Sequence, residues 1–303
     1  MAAQGGVRVW RRPPSLARVE APPAFGTLLV LPGFGNDSSD YAAPFGAADA
    51  SLLTALRSRG FQAEVLPVER KEWLNVARCL LSPRCYTGSC TADEGYGWYL
   101  AKVGAEVERL RSKGERVTLV GHSAGGWLAR AFLGDSRWAV PSGAAPGGPH
   151  SAVRALVSLG SPHSAPPPGV FDVTRGALSW LNTAHPGAAF ASSGVRYLAV
   201  AGNTVTGSPP PKGEPARRPD GTREPSAYAA ASYAAQLGGD GGGITGDAVV
   251  PLRCALLPGA QSLVLDGVWH SVSRVGTFDE DSRLAWYGSD SVVDAWLTLL
   301  VEP

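Results

Sequence analysis

Ser123 has the sequence context of a catalytic nucleophile. It is the middle residue of Gly-His-Ser-Ala-Gly at 121–125, which follows an apolar run and precedes residues with helical spacing. A serine in a sharp strand-to-helix turn adopts a strained backbone, so it needs small residues two positions away on each side. The pattern predicts a nucleophile elbow, in which Ser123 attacks a carbonyl carbon and the N–H of Ala124 binds the oxyanion. An ordinary turn is the alternative.

An activated serine also needs a base and an acid, which His270 and Asp247 can supply. Asp247 stands in a short loop led by glycine, and His270 ends the loop after the last predicted strand. One short connection and one strand separate them, so both loops reach the sheet edge that carries Ser123. The order Ser123, Asp247, His270 is that of hydrolases with a nucleophile elbow, and it predicts a catalytic triad. Asp266 is the reserve acid, and a structural role is the alternative for His270.

A second oxyanion donor is expected early in the chain. The apolar run 27–31 is followed by Pro-Gly-Phe-Gly-Asn at 32–36. The two glycines allow the backbone of Phe34 to approach a substrate carbonyl closely. We therefore predict the N–H of Phe34 as the second donor, with an ordinary strand-to-loop turn as the alternative.

Four residues are predicted to contact substrate. His122 precedes the nucleophile, and His163 follows a strand that lies only one β–α unit later, which favours a cleft-wall residue over the base. The stretch 166–190 opens with three prolines and carries apolar residues that include Phe171 and Trp180. Such a stretch between two strands indicates a lid or an acyl-binding wall. A packed surface helix is the alternative.

Alternating strands and helices position these residues. Continuous apolar runs predict buried strands, and a 3.6-residue period predicts helices. The predicted strands are 27–31, 63–66, 117–120, 153–159, 195–201 and 262–265, and the predicted helices are 49–59, 96–112, 124–133 and 290–301. This order predicts an α/β fold with a mostly parallel central sheet, helices on both faces and right-handed crossovers.

The length and composition favour one domain over 25–303, preceded by an arm over 1–24, with two small domains as the alternative. The arm is basic and lacks the apolar segment of a secretory signal, so an organelle-targeting remnant and a loosely packed arm both stay open. Insertions are expected near 161–190 and 202–246, together with a glycine- and proline-rich loop at 142–149 and an irregular flank at 71–95. The second insertion contains a charged run at 212–224 and a short helix at 226–237, and it is interpreted as a flexible excursion over the cleft.

The charge balance limits the partners. With 27 basic and 26 acidic residues, the net charge is +1, which supports neither nucleic acid nor a strongly anionic partner. No apolar stretch reaches the length of a membrane span, so membrane contact is expected to be peripheral only. A small neutral substrate is expected, the chemistry needs no metal or organic cofactor, and the oligomeric state stays open.

Four cysteines, Cys79, Cys85, Cys90 and Cys254, lack the paired spacing of a zinc site. Reduced thiols are the favoured interpretation. A bridge from Cys85 to Cys90 or from Cys79 to Cys90 stays open for an oxidising compartment.

Several motifs together carry a family resemblance. They are Gly-His-Ser-Ala-Gly-Gly-Trp at 121–127, Leu-Gly-Ser-Pro-His at 159–163, Gly-Asp-Ala-Val-Val-Pro at 246–251 and Asp-Gly-Val-Trp-His-Ser at 266–271, supported by 31–36 and 286–289. Over most of the chain from about residue 25, the sequence resembles the lipase-like α/β-hydrolase family of plants, algae and cyanobacteria, which is related to GPI inositol-deacylases. The resemblance implies an α/β-hydrolase fold with cap insertions, a serine ester hydrolase with lipids among its candidate substrates, and a plastid or cytoplasmic location. Ala248 stands where relatives often carry glycine.

The residues and the resemblance together predict a serine carboxylic-ester hydrolase. The acyl group would pass to Ser123, with His270 as base and Asp247 as its acid partner, while Phe34 and Ala124 bind the oxyanion. The substrate would be a small or lipid ester. An acyltransferase with the same triad and a ligand-binding relative without turnover are the alternatives.

Overall fold

The computed structural model describes residues 7–10, 17–23, 25–135, 137, 151–211, 224–271 and 284–302. The predicted loop at 142–149 and nearly all of the charged run at 212–224 lie outside the described residues. The strands are β1 Val7–Trp10, β2 Thr27–Leu31, β3 Gln62–Val65, β4 Val117–His122, β5 Val153–Leu159, β6 Arg196–Asn203, β7 Val205–Thr206, β8 Thr245–Gly246 and β9 Gln261–Asp266. The α-helices are α1 Ser39–Ala42, α2 Leu52–Arg57, α3 Pro83–Thr87, α4 Ala92–Ser112, α5 Ala124–Gly134, α6 Ala177–Ala184, α7 Pro225–Leu237, α8 Leu252–Ala255 and α9 Asp290–Val301, with 3-10 turns at Pro44–Gly46, Arg70–Leu81 and Ala191–Ser193.

Seven strands form one parallel sheet in the order β1-β9-β6-β5-β4-β2-β3, and β7 and β8 form a small antiparallel pair. In the register, Leu31 of β2 lies beside Gly121 of β4, and His122 of β4 lies beside Leu159 of β5. The carboxyl ends of these strands are therefore level, and the loops that follow them meet at one edge. Ligand sites of open parallel sheets occur at this edge.

The two faces of the sheet are covered by different helices. One face packs α4, α5 and α6 against Leu29, Leu119 and their neighbours, and the other packs α2 and α9 against Leu28 and Val120. Strands that are buried on both faces explain the continuous apolar runs of the sequence. The sequence prediction of an α/β fold with a parallel sheet is confirmed.

The stretch predicted as an arm contains a strand of the sheet. Residues Val7–Trp10 pair in parallel with β9, and the backbone N–H of Val19 donates to Asp294 at 2.8 Å. Without β1, strand β9 would present unpaired backbone groups at the edge of the sheet. The arm expected over 1–24 is therefore corrected at these residues.

Helix ends follow their capping residues more closely than the apolar period. Helix α2 begins three residues later than predicted, because the hydroxyl of Ser51 accepts from the N–H of Thr54. Helix α4 begins four residues earlier than predicted, because Thr91 and Glu94 form a capping box. Helix α9 has the predicted ends, and α7 matches the predicted short helix closely. In the described residues, no helix combines the length and hydrophobicity required to cross a bilayer.

All four cysteines are buried free thiols. Cys79, Cys85 and Cys90 pack together, and the Sγ atoms of Cys79 and Cys85 are 3.0 Å apart. The closest thiols are thus a pair that the sequence spacing does not single out. Burial, followed by the contact with Cys85, raises the pKa of Cys79 to about 12, which disfavours the reactive thiolate.

Candidate active site

The turn between β4 and α5 has the geometry of a nucleophile elbow. Ser123 has φ 51° and ψ −124°, a strained conformation for a residue with a side chain. A Cβ atom on Gly121 would lie 2.4 Å from the Cα of Gly126, and one on Gly125 would lie 2.2 Å from the carbonyl oxygen of Leu31. Both glycines are required by close backbone approach, which supports the physical basis of the sequence prediction.

The loop after β2 lies directly against Ser123. A Cβ atom added to Gly33 would be 2.7 Å from the Cβ of Ser123, so the next residue, Phe34, lies close to Ser123. In the described part of the chain, the backbone N–H groups of Phe34 and Ala124 have no hydrogen-bond partner. Ala124 is also the first residue of α5, where a helix has unpaired N–H groups and a partial positive charge. Two free donors therefore flank Ser123.

Asp247 and His270 form a buried pair behind the elbow. Each is 1% exposed, and His270 Nδ1 lies 2.8 Å from Asp247 Oδ2. The backbone N–H of His270 also donates to the carbonyl oxygen of Asp247 at 3.0 Å. Two contacts with one residue fix the orientation of the imidazole.

The carboxylate of Asp247 is held by several donors. Oδ1 accepts from the N–H groups of Val249 and Val250 at 3.0 and 2.7 Å, and Oδ2 accepts from the hydroxyl of Tyr287 at 2.8 Å. Burial alone would raise the pKa of Asp247, but the neighbouring imidazole of His270 and these hydrogen bonds bring it below its ordinary value. The acid is therefore ionised at neutral pH.

The loop that carries the acid is itself strained. Ala248 has φ 81°, an unfavourable value for a residue with a Cβ atom, and it is fully buried. Its N–H donates to the hydroxyl of Tyr233 at 3.0 Å, which holds it in place. A glycine at this position would relieve the strain.

His122 occupies a different place from the one predicted. It is 1% exposed, with Nδ1 2.7 Å from the hydroxyl of Tyr41 and Nε2 2.8 Å from the carbonyl oxygen of His270. Both ring nitrogens are occupied by protein groups, so the ring lies behind the elbow. Its predicted role as a substrate contact is corrected.

His163 is also buried and does not line the cleft at Ser123 among the described residues. Its Nε2 is 2.9 Å from the hydroxyl of Ser158, and its Nδ1 is 3.4 Å from the guanidinium of Arg130. Burial and the nearby charge of Arg130 hold the pKa of His163 well below its ordinary value. The predicted cleft-wall position is corrected, and the carboxylate of Asp247 is paired with His270.

Ser123, Phe34 and Ala124 open into a cleft of about 340 Å³. We call this the Ser123 cleft. Its apolar walls come from five parts of the chain and include Val76, Tyr96, Trp127, Val173, Leu178, Val249 and Val250. Asp172 is the one carboxylate or cationic side chain among the described residues that line it. The cleft is thus suited to an uncharged, apolar group.

The segment 166–190 contributes to this cleft through other residues than those predicted. Phe171 is 62% exposed and lies under the guanidinium of Arg175 at 4.4 Å. Trp180 lines a separate depression beside Gly134. The substrate contacts predicted for Phe171 and Trp180 are corrected, since Val173 and Leu178 face the cleft in their place.

Two tyrosines of the site were not predicted from the sequence. Tyr41 contacts His122, and Tyr287 contacts Asp247. Tyr287 lies in the stretch 286–289, which the family resemblance includes, so that motif is the signal that could have found it. Tyr41 stands in a short polar helix without a distinguishing pattern.

Comparison with known proteins agrees with this geometry. The sequence profile described as "Alpha/beta hydrolase family" matches residues 28–281. The fold is similar to that of the mature lipase BlEst2 of Bacillus licheniformis, with 16% identity, 93% of each chain covered and a TM-score of 0.50. It is also similar to the metagenomic carboxyl esterase MGS0156, with 13% identity, 93% of this chain and 77% of that chain covered, and a TM-score of 0.50. No curated protein matches the sequence.

Proposed function

The chain belongs to the alpha/beta hydrolase family, and on that premise we propose that it is a serine hydrolase of carboxylic esters. The observation that supports this most strongly is the strained Ser123 at the helix N-terminus, set between two free N–H donors, whose neighbour His122 contacts the buried Asp247–His270 pair. An activated serine, an oriented imidazole and an oxyanion site are the requirements for acyl transfer.

In the proposed first step, the hydroxyl oxygen of Ser123 attacks the ester carbonyl and His270 takes its proton. The carbonyl oxygen becomes an oxyanion, which the N–H groups of Phe34 and Ala124 bind. His270 then gives the proton to the leaving alcohol, and an acyl-enzyme remains on Ser123. Water then attacks the acyl-enzyme through the same two steps, with His270 taking the proton of water and returning it to Ser123, and the carboxylic acid is released.

Asp247 acts on this reaction through His270. It accepts the Nδ1–H, so that Nε2 is the nitrogen free to take the proton from Ser123. The carboxylate also stabilises the imidazolium that forms in each step. Because Asp247 is buried and ionised, this stabilisation is stronger than it would be in water.

The Ser123 cleft favours an ester with an apolar acyl or alcohol group. Its walls are largely aliphatic and aromatic, and Asp172 would repel an anionic substrate. A small or lipid ester fits this environment. The motifs shared with the lipase-like branch of plants, algae and cyanobacteria support the same substrate class.

The direct test is labelling and turnover by the purified chain. A fluorophosphonate should label the wild-type protein and p-nitrophenyl esters should be hydrolysed, whereas Ser123→Ala should lose labelling and about 10⁵-fold or more in kcat. Ser193→Ala, which replaces an exposed serine away from the cleft, is the matched control and should behave as wild type. Full turnover by Ser123→Ala would contradict the proposed nucleophile.

The ester class is tested by acyl length. Each CH₂ group that the cleft buries contributes about 0.8 kcal/mol, so KM should fall about fourfold per added CH₂ from acetate upward until the cleft is filled. A KM that does not change with acyl length would contradict an apolar acyl site.

A further inference from the structure

A continuous chain of hydrogen bonds joins the two halves of the site. It starts at the loop 33–36, which carries Phe34, and passes through Tyr41 and His122 to the backbone of His270. The N–H of Gly33 donates to the hydroxyl of Tyr41 at 2.9 Å, and this hydroxyl is 2.7 Å from His122 Nδ1. His122 Nε2 is 2.8 Å from the carbonyl oxygen of His270.

The carbonyl end of the chain determines the tautomer of His122. A carbonyl oxygen only accepts, so His122 Nε2 must carry the hydrogen. A neutral imidazole then has a bare Nδ1, which accepts from the hydroxyl of Tyr41. Every donor in the chain therefore points from Tyr41 through His122 towards His270.

The hydroxyl of Tyr41 makes all of its possible hydrogen bonds in this arrangement. Its single hydrogen goes to His122, and its oxygen accepts from the N–H of Gly33 and from the side-chain amide of Asn36, both at 2.9 Å. A charged His122 would also have to donate through Nδ1, which would leave the hydroxyl hydrogen of Tyr41 without a partner. The hydrogen-bond pattern therefore accommodates only neutral His122.

Burial supports the neutral form independently. Burial, followed by the proximity of His270, lowers the pKa of His122 to about 3, and the backbone contact with His270 only partly opposes this. Tyr41 is 1% exposed, so water does not compete for its hydroxyl. The hydrogen bonds from Tyr41 through His122 to His270 are thus the same at every pH at which an esterase is assayed.

We propose that His122 and Tyr41 are positioning residues that hold the oxyanion loop 33–36 at a fixed distance from His270. This inference rests on the proposed function, because it gives Phe34 and His270 their roles in acyl transfer. The loop is also held from its outer side, where Trp73 Nε1 donates to the carbonyl oxygen of Asn36 at 2.7 Å, and its Phe34 side chain is 53% accessible. Among the contacts of the loop, the Tyr41–His122 hydrogen bonds are those that lead to the backbone of His270.

The expected consequence is a loss in the transition state with little change in substrate binding. An oxyanion donor contributes about 10²- to 10³-fold to kcat when it is correctly placed, and a displacement of about 1 Å removes much of that. The apolar walls of the cleft bind the ground state and do not depend on Tyr41. Weakening the chain should therefore lower kcat and leave KM nearly unchanged.

The first experiment uses Tyr41→Phe, which keeps the ring and removes only the hydroxyl. We expect kcat, normalised to sites labelled by a fluorophosphonate, to fall about 10- to 100-fold with KM within about twofold. Tyr197→Phe is the matched control, because Tyr197 is a buried tyrosine near the start of β6, at the opposite end of the sheet. A Tyr41→Phe variant that loses thermal stability but keeps the wild-type kcat would show a merely structural role and overturn the proposal.

A transition-state analogue provides the second measurement. A trifluoromethyl ketone forms a bond between its carbonyl carbon and Ser123 Oγ, its oxygen becomes the oxyanion, and the serine proton passes to His270. Its affinity for Tyr41→Phe should fall by the same factor as kcat/KM. An unchanged affinity would show that the oxyanion site does not depend on Tyr41.

The third measurement is spectroscopic. The sequence has five histidines, so nitrogen-15 spectra of histidine-labelled protein can resolve His122. We expect a neutral Nε2–H tautomer from pH 5 to 8 in the wild type and in Ser123→Ala alike. A charged His122 ring or an Nδ1–H tautomer would contradict the proposed direction of the hydrogen bonds.

These outcomes separate the inference from the proposed function. A wild-type protein without esterase activity would contradict the proposed function. An active wild type whose Tyr41→Phe variant keeps its kcat would contradict the positioning role alone. In the double variant of Tyr41→Phe with His122→Asn, the loss should barely exceed that of the worse single variant, since both interrupt one chain. If the two losses in kcat multiplied in the double variant, Tyr41 and His122 would act independently, which would contradict a shared hydrogen-bond path.

Discussion

Two buried histidines lie in loops that follow strands at the same edge of the sheet, but the charged groups beside them have opposite signs. His270 pairs with the carboxylate of Asp247 at 2.8 Å, whereas His163 lies 3.4 Å from the guanidinium of Arg130. A carboxylate stabilises the imidazolium that a general base becomes, and a guanidinium destabilises it. The difference shows that the partner of a histidine, more than its place at a strand end, decides whether it can act as a base.

The surroundings of His163 also differ from those of His270, because they contain the buried cation of Arg130. Arg130 is 2% exposed and contacts Asn182 and the carbonyl oxygen of His185, both at 3.1 Å. Within the described residues, its Nε has no hydrogen-bond partner. Burial lowers the pKa of Arg130 to about 10, which still leaves it charged at neutral pH. This side of the edge is therefore a structural polar cluster in which His163 stays neutral.

The largest effect should distinguish the two histidines directly. His270→Ala should lower kcat for every ester by about 10⁵-fold, because the base is lost. His163→Ala should keep kcat within about tenfold of wild type, since it removes packing and a bond to Ser158. Steady-state kinetics on a short and a long ester measure both. A silent His163→Ala with an active His270→Ala would reverse the assignment.

The next effect concerns the acid. Asp247→Asn should lower kcat about 10³- to 10⁴-fold, because the amide no longer holds the imidazole in the productive tautomer. Asp266→Asn is the matched control, since Asp266 accepts from Asn203 at 2.8 Å and is not hydrogen-bonded to His270 among the described residues. We expect its kcat to stay near that of wild type. A larger loss in Asp266→Asn would move the acid to the loop after β9.

The sequence allowed much of the fold to be predicted, for local reasons. Continuous apolar runs mark strands buried on both faces, and Gly121 and Gly125 mark a turn that tolerates no side chain. β1 was missed because four alternating residues inside a basic stretch are a weak signal, although Val-Arg-Val-Trp has the strand period. Its place depends on β9, which is distant in the chain.

The proposed triad residues could be selected by type and order, whereas their supporting contacts could not. The apolar residues of α6 show why: Leu178 faces the cleft and Trp180 faces a separate depression. Both are large and apolar, so composition could not tell which face of the helix would meet the substrate. The roles of Tyr41 and Tyr287 depend likewise on loops that pack only in the folded chain.

A smaller effect tests how firmly the acid is held. Tyr287→Phe removes the hydroxyl that donates to Asp247 Oδ2, the same oxygen that contacts His270 Nδ1. One of several donors is lost, so we expect kcat to fall about tenfold, as for a hydrogen bond to a charged group worth about 1.5 kcal/mol. The variant also leaves the N–H of Gly202 without its acceptor, so thermal unfolding is measured alongside the kinetics. An unchanged kcat would show that the other donors hold Asp247 alone.

The smallest effect is on stability and concerns the neutral histidine. His163 has a pKa well below 6.5 in the folded protein, whereas an unfolded histidine titrates near that value. Below about pH 6.5 the unfolded chain therefore binds a proton that folded His163 does not, so stability falls as the pH is lowered. In His163→Gln, the slope of the unfolding free energy between pH 6.5 and 5 should decrease by about 1 kcal/mol per pH unit, with His122 and His185 supplying part of what remains.

Asp247 contributes to stability in a different pH range from His163, so the two contributions can be measured separately. Asp247 has a pKa below 3.8, so the stability that it contributes is present above that value and is lost only as the pH falls further. Ser158→Ala is the control for His163→Gln, because it removes the hydroxyl bonded to Nε2 and leaves the titrating ring. It should lower stability at every pH without changing the slope. Urea unfolding at several pH values measures both variants, and an unchanged slope in His163→Gln would mean that His163 is already protonated in the folded protein, contrary to its place beside Arg130.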